Sequence, residues 1–490
     1  MDIAPETVAE TAQEPVRALY SPWYRRRYLR WAPVLMSGAI VMLIPTPAGI
    51  APQSWRLLAI FVSTVMGLIL QPLPGGAVVL LGVLAMPLFR ALPVTAALAG
   101  YSDPLVWLVL AAFFISRGMI NTGLGRRIAL MFIRAIGRRT LGLGYALAST
   151  DMLLAMIIPS NAARSGGIVF PITISLAHAY DSKPGPTAGR LGAFLIMMTY
   201  QCDVILCAMF LTGQSSNALI AKLAKEASGL DLSASHWALG AIVPGLLSLA
   251  VVPLMVYRLF PPEIKETPAA AEYARSELHR LGPMSMPQKI MLLVFCVIAL
   301  LWITTPLHGI HYAVVALVGI SALLICGVLN WDDVIAERGA WDVFIWFGGL
   351  VGMAEALGQS GVTRRFAEST GGLTYGWPWW AAIGILLIVY FYSHYGFASI
   401  TAHAAAMYAP FLVVSLAAGA PPMLAVLSLA YLSNLPASLT HYGTTPAPIY
   451  FGAGYVKQQT WWRLGLIASI LNITIWIAAG FAWWKLLHWW

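Results

Sequence analysis

The chain has 490 residues, of which 59% are hydrophobic and only 10% charged. A soluble domain carries about 25% charged residues, so this chain cannot cover a globular surface with polar groups, and a water-soluble fold is excluded. The net charge of +9 predicts basic cytoplasmic loops and affinity for the anionic headgroups of a lipid bilayer. Nucleic acid is not an expected partner, because no basic patch is interleaved with exposed aromatics. The expected class is an all-α polytopic membrane protein.

In chain order, residues 1–20 are polar and carry Asp2, Glu6, Glu10 and Glu14, unlike an acid-poor transit peptide. Arg25, Arg26, Arg27 and Arg30 follow, directly before an apolar run from Trp31. That order predicts a retained first span with residues 1–30 in the cytoplasm, in a plasma membrane of the bacterial inner-membrane kind. Further runs of ~20 apolar residues, the length a bilayer requires, begin near Trp55, Gly75, Pro104, Arg190 and His236. The second half offers starts near Pro287, Ile310, Trp341, Pro422 and Trp461, making eleven spans. Residues 31–257 then hold the first span and a first repeat, 258–289 a charged cytoplasmic linker, and 290–490 a second repeat. The C-terminal Trp483, Trp484, Trp489 and Trp490 suit an interfacial aromatic belt. Cys202, Cys207, Cys296 and Cys326 lie in apolar stretches without C-x-x-C spacing. They are expected as buried thiols, with no metal site and no cofactor.

Two apolar segments, about 141–180 and about 376–418, are interrupted in their middles by small and polar residues. The interruptions are Pro159-Ser160-Asn161-Ala162-Ala163-Arg164-Ser165-Gly166-Gly167 and Gly396-Phe397-Ala398-Ser399-Ile400-Thr401-Ala402-His403. Irregular backbone survives at membrane depth only where protein buries it or it lines a wet cavity, which predicts two re-entrant helical hairpins. An offset of 239 residues superposes Asp103 on Asp342, Trp107 on Trp346, Ser160 on Ser399, Ala163 on Ala402, Arg164 on His403 and Pro171 on Pro410. Arg126, Arg127, Arg134, Arg138 and Arg139 follow the fourth span, whereas the matching place in the second half keeps Arg364 and Arg365 with Glu368. Loss of positive charge in the second copy is what inversion across the membrane predicts, and inverted repeats with broken helices mark transporters.

Each half has a second break, Leu211-Thr212-Gly213-Gln214-Ser215-Ser216-Asn217 and His441-Tyr442-Gly443-Thr444-Thr445-Pro446-Ala447-Pro448. Half-helices starting after such breaks present free N–H groups and a partial positive charge, which favour anions. The alternative is that the small polar residues only let helices pack closely. An arginine inside a bilayer-embedded hairpin is costly and usually serves a cavity, and Arg164 recurs as His403. One or two fixed positive charges there would neutralise a dianion without a metal. Asp103, Asp151, Asp203, Asp342 and Glu355 either relay protons or pair with Arg164 or Arg117, and His394 is expected as a core residue. No H-E-x-x-H, nucleotide-binding G-x-x-x-x-G-K-[ST] or G-x-S-x-G motif occurs, so ATP on this chain does not drive transport.

The stretches 159–167, Tyr392-Ser393-His394-Tyr395-Gly396-Phe397-Ala398-Ser399 with Thr401-Ala402-His403, and Leu439-Thr440-His441-Tyr442-Gly443-Thr444 resemble the divalent anion/sodium symporter (DASS) family. The likeness runs from about residue 50 to residue 480. It is greatest to the branch called 2-oxoglutarate/malate translocators, which is similar to the citrate/succinate exchangers. The resemblance implies eleven spans, two hairpins, a homodimer and elevator-type movement of a transport domain. With the four breaks converging on one site, the substrate is expected at Ser160, Asn161 and Ala162, at Gly213, Gln214, Ser215, Ser216 and Asn217, at Ser399, Ile400 and Thr401, and at Gly443, Thr444, Thr445 and Pro446. Family tips read Ser-Asn-Thr; here each tip lacks one polar group, and Arg164 and His403 match positions where exchangers carry basic groups in place of sodium. Sodium-independent exchange of C4–C5 dicarboxylate anions is therefore expected. The alternatives are a sodium- or proton-coupled di- or tricarboxylate symporter, a channel, and a membrane-embedded enzyme using Arg164 and His403 as oxyanion donor and base.

Overall fold

Where the sequence runs apolar for about a bilayer's thickness, the chain is helical. The structure, a computed structural model, describes residues 23–362, Arg365 and residues 376–490. Residues 1–22, Arg364 and Glu368 lie outside the described residues, as do the side chains of Arg25, Arg26 and Arg27. No β-strand occurs among the described residues. The first half runs through α1 (Trp23–Leu43), α2 (Pro52–Leu70), α3 (Gly75–Leu88), α4 (Pro104–Thr122) and α5 (Leu124–Ile136). It continues with α6 (Thr140–Ala155), α7 (Phe170–Ala179), α8 (Gly192–Met209), α9 (Ser216–Ser228) and α10 (Ala234–Leu259). A connecting helix α11 (Pro268–Leu281) leads to α12 (Met286–Ile303), α13 (Tyr312–Ile325), α14 (Arg338–Gln359) and α15 (Trp379–Ser393). Last come α16 (Ile400–Ala417), α17 (Pro422–Leu432), α18 (Pro446–Gly452) and α19 (Gln458–Leu486).

Every expected span start falls within three residues of the start of an apolar helix, from Arg30–Leu43 to Gln458–Leu486. Local chemistry sets these starts. Asp103 accepts from Leu105 N at 2.8 Å with Pro104 in the first turn of α4, and Ser233 does the same for α10 through His236 N. The order of elements repeats: two spans, a third long span, a hairpin, a broken span and a long closing helix occur in both halves.

The connecting segment docks on the basic amphipathic helix α5. Arg126 meets Glu277 at 2.8 Å, Arg127 Nη1 donates to Gly282 O at 2.9 Å, and Arg139 pairs by backbone with Glu266. The whole of α8 is buried, which makes it the axis around which the rest packs. Leu80, Leu84, Leu293, Leu300 and Ile325 instead face outward, as expected where the solvent is lipid. That solvent also corrects the cysteine expectation: Cys202 and Cys207 are buried, but Cys296 and Cys326 are exposed on the apolar outside. Trp484 is buried as well and donates to Gly240 O at 2.8 Å, so one of the terminal tryptophans pins α19 to α10.

Candidate functional site

The two hairpins are built alike. In each, a serine caps the returning arm: Ser160 Oγ accepts from Ala163 N at 3.2 Å, and Ser399 Oγ accepts from Ala402 N at 3.4 Å. Each returning arm then opens into wide π-type turns, at Ala162–Val169 and Ala404–Tyr408, a distortion frequent at functional sites. The polar positions of the tips differ in fate. Asn161 is buried and donates to Thr444 Oγ1 at 2.9 Å, which ties the first tip to the second break. Ile400 is buried among apolar neighbours, while Ser160, Ala162, Ser399 and Thr401 stay partly open.

The broken spans explain their glycines. After α8 the chain folds back over its own last turn, so that a Cβ on Gly213 would stand 2.7 Å from Leu206 O and 2.8 Å from Cys207 O. No side chain fits there. Asn217 then satisfies the carbonyls that the break releases, donating from Nδ2 to Cys207 O at 2.7 Å and to Phe210 O at 2.9 Å. Its Oδ1 accepts from Asn434 Nδ2 at 2.9 Å, and Gln214 donates to Asn434 Oδ1. The second break is longer than the sequence suggests: α17 stops at Leu432, a single tight turn covers Leu435–Leu439, and α18 begins at Pro446. Gly443 and Thr444 are buried, and Thr445 is exposed. Ser215 is partly open, while Ser216 and Pro446 are buried.

Arg164 is fully buried and its guanidinium is fully engaged. Nε donates to Asp151 Oδ1 at 2.5 Å, Nη2 to Asp203 Oδ1 at 2.7 Å, and Nη1 to Gly213 O at 2.7 Å and Ile158 O at 3.4 Å. Both aspartates are fully buried too. Of the two roles open to them, the pairing one is the geometry observed. His403, also buried, lies with Nε2 3.0 Å from both Tyr390 O and Ser393 Oγ; the carbonyl can only accept, so this nitrogen carries the proton. His394 Nε2 likewise donates to Gly443 O at 3.0 Å. Each half therefore sends a side-chain N–H from its hairpin to the glycine carbonyl of its broken span.

The halves are also crossed. Helix α18, after the second break, packs on the returning arm of the first tip, and α16 packs on α9, after the first break. Partly open hydroxyls at Ser160, Ser215, Ser399 and Thr401 can donate to anionic oxygens without adding charge. Among the described residues no cluster of three or more His, Cys, Asp or Glu side chains could hold a metal.

Two polar residues escaped the sequence. Asn434 links both broken spans; an asparagine two residues before Pro436 inside an apolar run is the signal that points to it. Lys222 on α9 meets Asp103 at 2.9 Å, Glu355 at 3.3 Å and Glu226 at 3.5 Å. It joins the post-break helix to α4 and α14, and its neighbours Lys225 and Glu226 make it look like part of a solvated face.

Residues 26–490 match the family model described as the sodium:sulfate symporter transmembrane region. The chain is 43% identical to the chloroplast dicarboxylate transporter 1 of Spinacia oleracea, over 96% of this chain and 84% of that protein. It is 34% identical to the L-tartrate/succinate antiporter of Shigella sonnei (strain Ss046), over 91% and 95% respectively. Among solved structures, that of the YdaH transporter of Alcanivorax borkumensis superposes with a TM-score of 0.54 at 14% identity, covering 94% of this chain and 97% of that one. At that identity the likeness is one of fold.

Proposed function

The chain belongs to the sodium:sulfate symporter family, the divalent anion/sodium symporters, and from that premise we propose that it exchanges C4–C5 dicarboxylates, such as succinate, malate or 2-oxoglutarate, without sodium. The family is one of transporters, so the enzyme alternative falls away.

One observation carries the sodium independence. In carriers with broken helices, unwound backbone carbonyls and half-helix C-termini coordinate the coupling cation. Here the carbonyls of Gly213 and Gly443 accept instead from Arg164 and His394. Built-in donors occupy the positions a cation would use, with His403 behind the second tip in the place that Arg164 takes behind the first. The dianion is then cradled by the partly open hydroxyls and by the helix starts after the tips and breaks, each equivalent to roughly half a positive charge. An empty cradle of unsatisfied donors is costly to carry through hydrocarbon. A bound dianion satisfies it, which favours exchange over net uptake.

Elevator movement fits the packing. Hairpins and broken spans pack on one another, and an apolar groove lined by Leu58, Phe61, Val65, Leu357, Ala406 and Pro410 runs where α16 meets α2 and α14. A homodimer, as the family resemblance implies, completes the proposal.

The experiment is counterflow in proteoliposomes. Labelled succinate uptake should require internal dicarboxylate and be the same in sodium and potassium media. Uptake into empty vesicles driven by a sodium gradient would overturn the proposal and favour symport.

A further inference from the structure

Two carboxylates share one guanidinium inside the transport core. Nε and Nη2 of Arg164 lie on the same edge of the planar group, the edge that ordinarily takes both oxygens of a single carboxylate. Here Asp151 takes one donor and Asp203 the other, each through Oδ1. Nε and Nη2 are neighbours on that edge, so the two carboxyl groups that they hold lie side by side. The second oxygens are stranded: neither Asp151 Oδ2 nor Asp203 Oδ2 has a donor, and both are buried.

Fully ionised, the triad would carry one uncompensated negative charge in a site closed to water. The other titratable groups facing it are Tyr200, Cys202 and Cys207 on α8, and Tyr450 on α18. None of these supplies a second cation. The Cys207 thiol accepts from Arg164 Nη2 at 3.6 Å, and Tyr450 is engaged with Ser165 at 2.9 Å. Carboxylates pressed together in this way do not both ionise. A proton on one oxygen removes the excess charge and provides the missing donor.

We propose that Asp151 and Asp203 form a proton-binding site that holds one proton between them against Arg164. The buried triad is then electrically neutral. It follows that Arg164 adds no net charge to the anion cradle, whose attraction for a dianion comes from helix ends and hydroxyls. The proposal goes beyond the transport reading and does not depend on it, because its test needs no substrate.

The test is infrared difference spectroscopy of the full-length protein in lipid nanodiscs at neutral pH. Wild type minus Asp151→Asn and wild type minus Asp203→Asn should each show the loss of one protonated-carboxyl carbonyl band. Either replacement leaves a single carboxylate that ionises to pair with Arg164. Asp203→Glu, which keeps the acid, should shift the band and not delete it. A raised-pH titration of the wild type, which needs no variant to fold, should release that band as one proton per chain. Loss of carboxylate-stretch intensity in place of the carbonyl band, or a band that survives either Asn replacement, would overturn the proposal. A succinate counterflow result of either sign leaves this readout unchanged.

Discussion

Arg164→Met removes the donors of Asp151 Oδ1, Asp203 Oδ1 and Gly213 O in one step, all at full burial. Breaking a buried ion pair by removing one partner costs about 3–5 kcal/mol, because a charge is left without compensation. A folded domain has only about 5–15 kcal/mol to lose. With an unfolding entropy of about 2.1 cal/mol/K per residue, a chain of 490 residues loses ~1 °C per kcal/mol, so the melting midpoint should fall by about 3–5 °C. The informative comparison is the triple variant Arg164→Met/Asp151→Asn/Asp203→Asn. It carries no buried charge, so the uncompensated carboxylate that makes the single variant costly is gone and part of the lost stability should return. Tryptophan fluorescence during a thermal ramp of the purified protein in detergent reads both. A single variant that melts within about 2 °C of wild type, or a triple variant no better than the single one, refutes the reasoning.

Gly213→Ala places a methyl group against the carbonyls of Leu206 and Cys207, and overpacking of about 1–3 kcal/mol falls on the break itself. Counterflow should be lost, whereas Gly452→Ala, whose Cβ meets nothing within 4 Å, should transport normally. Asn161→Ala and Thr444→Val each remove the same cross-half hydrogen bond. Both should raise the KM for dicarboxylate, and the double variant should be less than additive by about 0.5–3 kcal/mol; strict additivity would exclude a shared contact. Lys222→Met leaves Asp103 and Glu355 without their cation, but Asp103→Asn leaves Lys222 with Glu355 and Glu226. The lysine variant should melt lower, by on the order of 1 kcal/mol given partial exposure; equal melting would reject the network.

Much of this molecule could be read from its residues, because a bilayer imposes a length. The starts of the apolar helices follow from apolar runs, and the two interrupted helical segments follow from polar residues where lipid forbids irregular backbone. Ser160 and Ser399 could be matched by offset alone, although their shared task, capping the returning arm, shows only in the backbone geometry. Other features depend on contacts between distant parts of the chain. Asn434 acts through Gln214 and Asn217, more than 200 residues away, and composition carries no trace of that. Cys296 and Cys326 look like core thiols because apolar character means burial in water but either burial or exposure in lipid. Arg164 was recognisable as special, yet no spacing rule could say that both of its acids would be used at once.

The burial of α8 bears on how the chain enters the membrane. A helix with an aspartate at its centre is penalised by about 2.5–3.5 kcal/mol at insertion, and α8 offers Thr199, Gln201 and Asp203 with no face for lipid. Its counterion, however, is already made: Arg164 precedes Asp203 by 39 residues and Asp151 precedes Arg164 by 13. The three charges emerge from the ribosome within one stretch of the first half, hairpin first. All three members of the pairing that makes α8 tolerable in hydrocarbon are therefore synthesised before any residue of the second half.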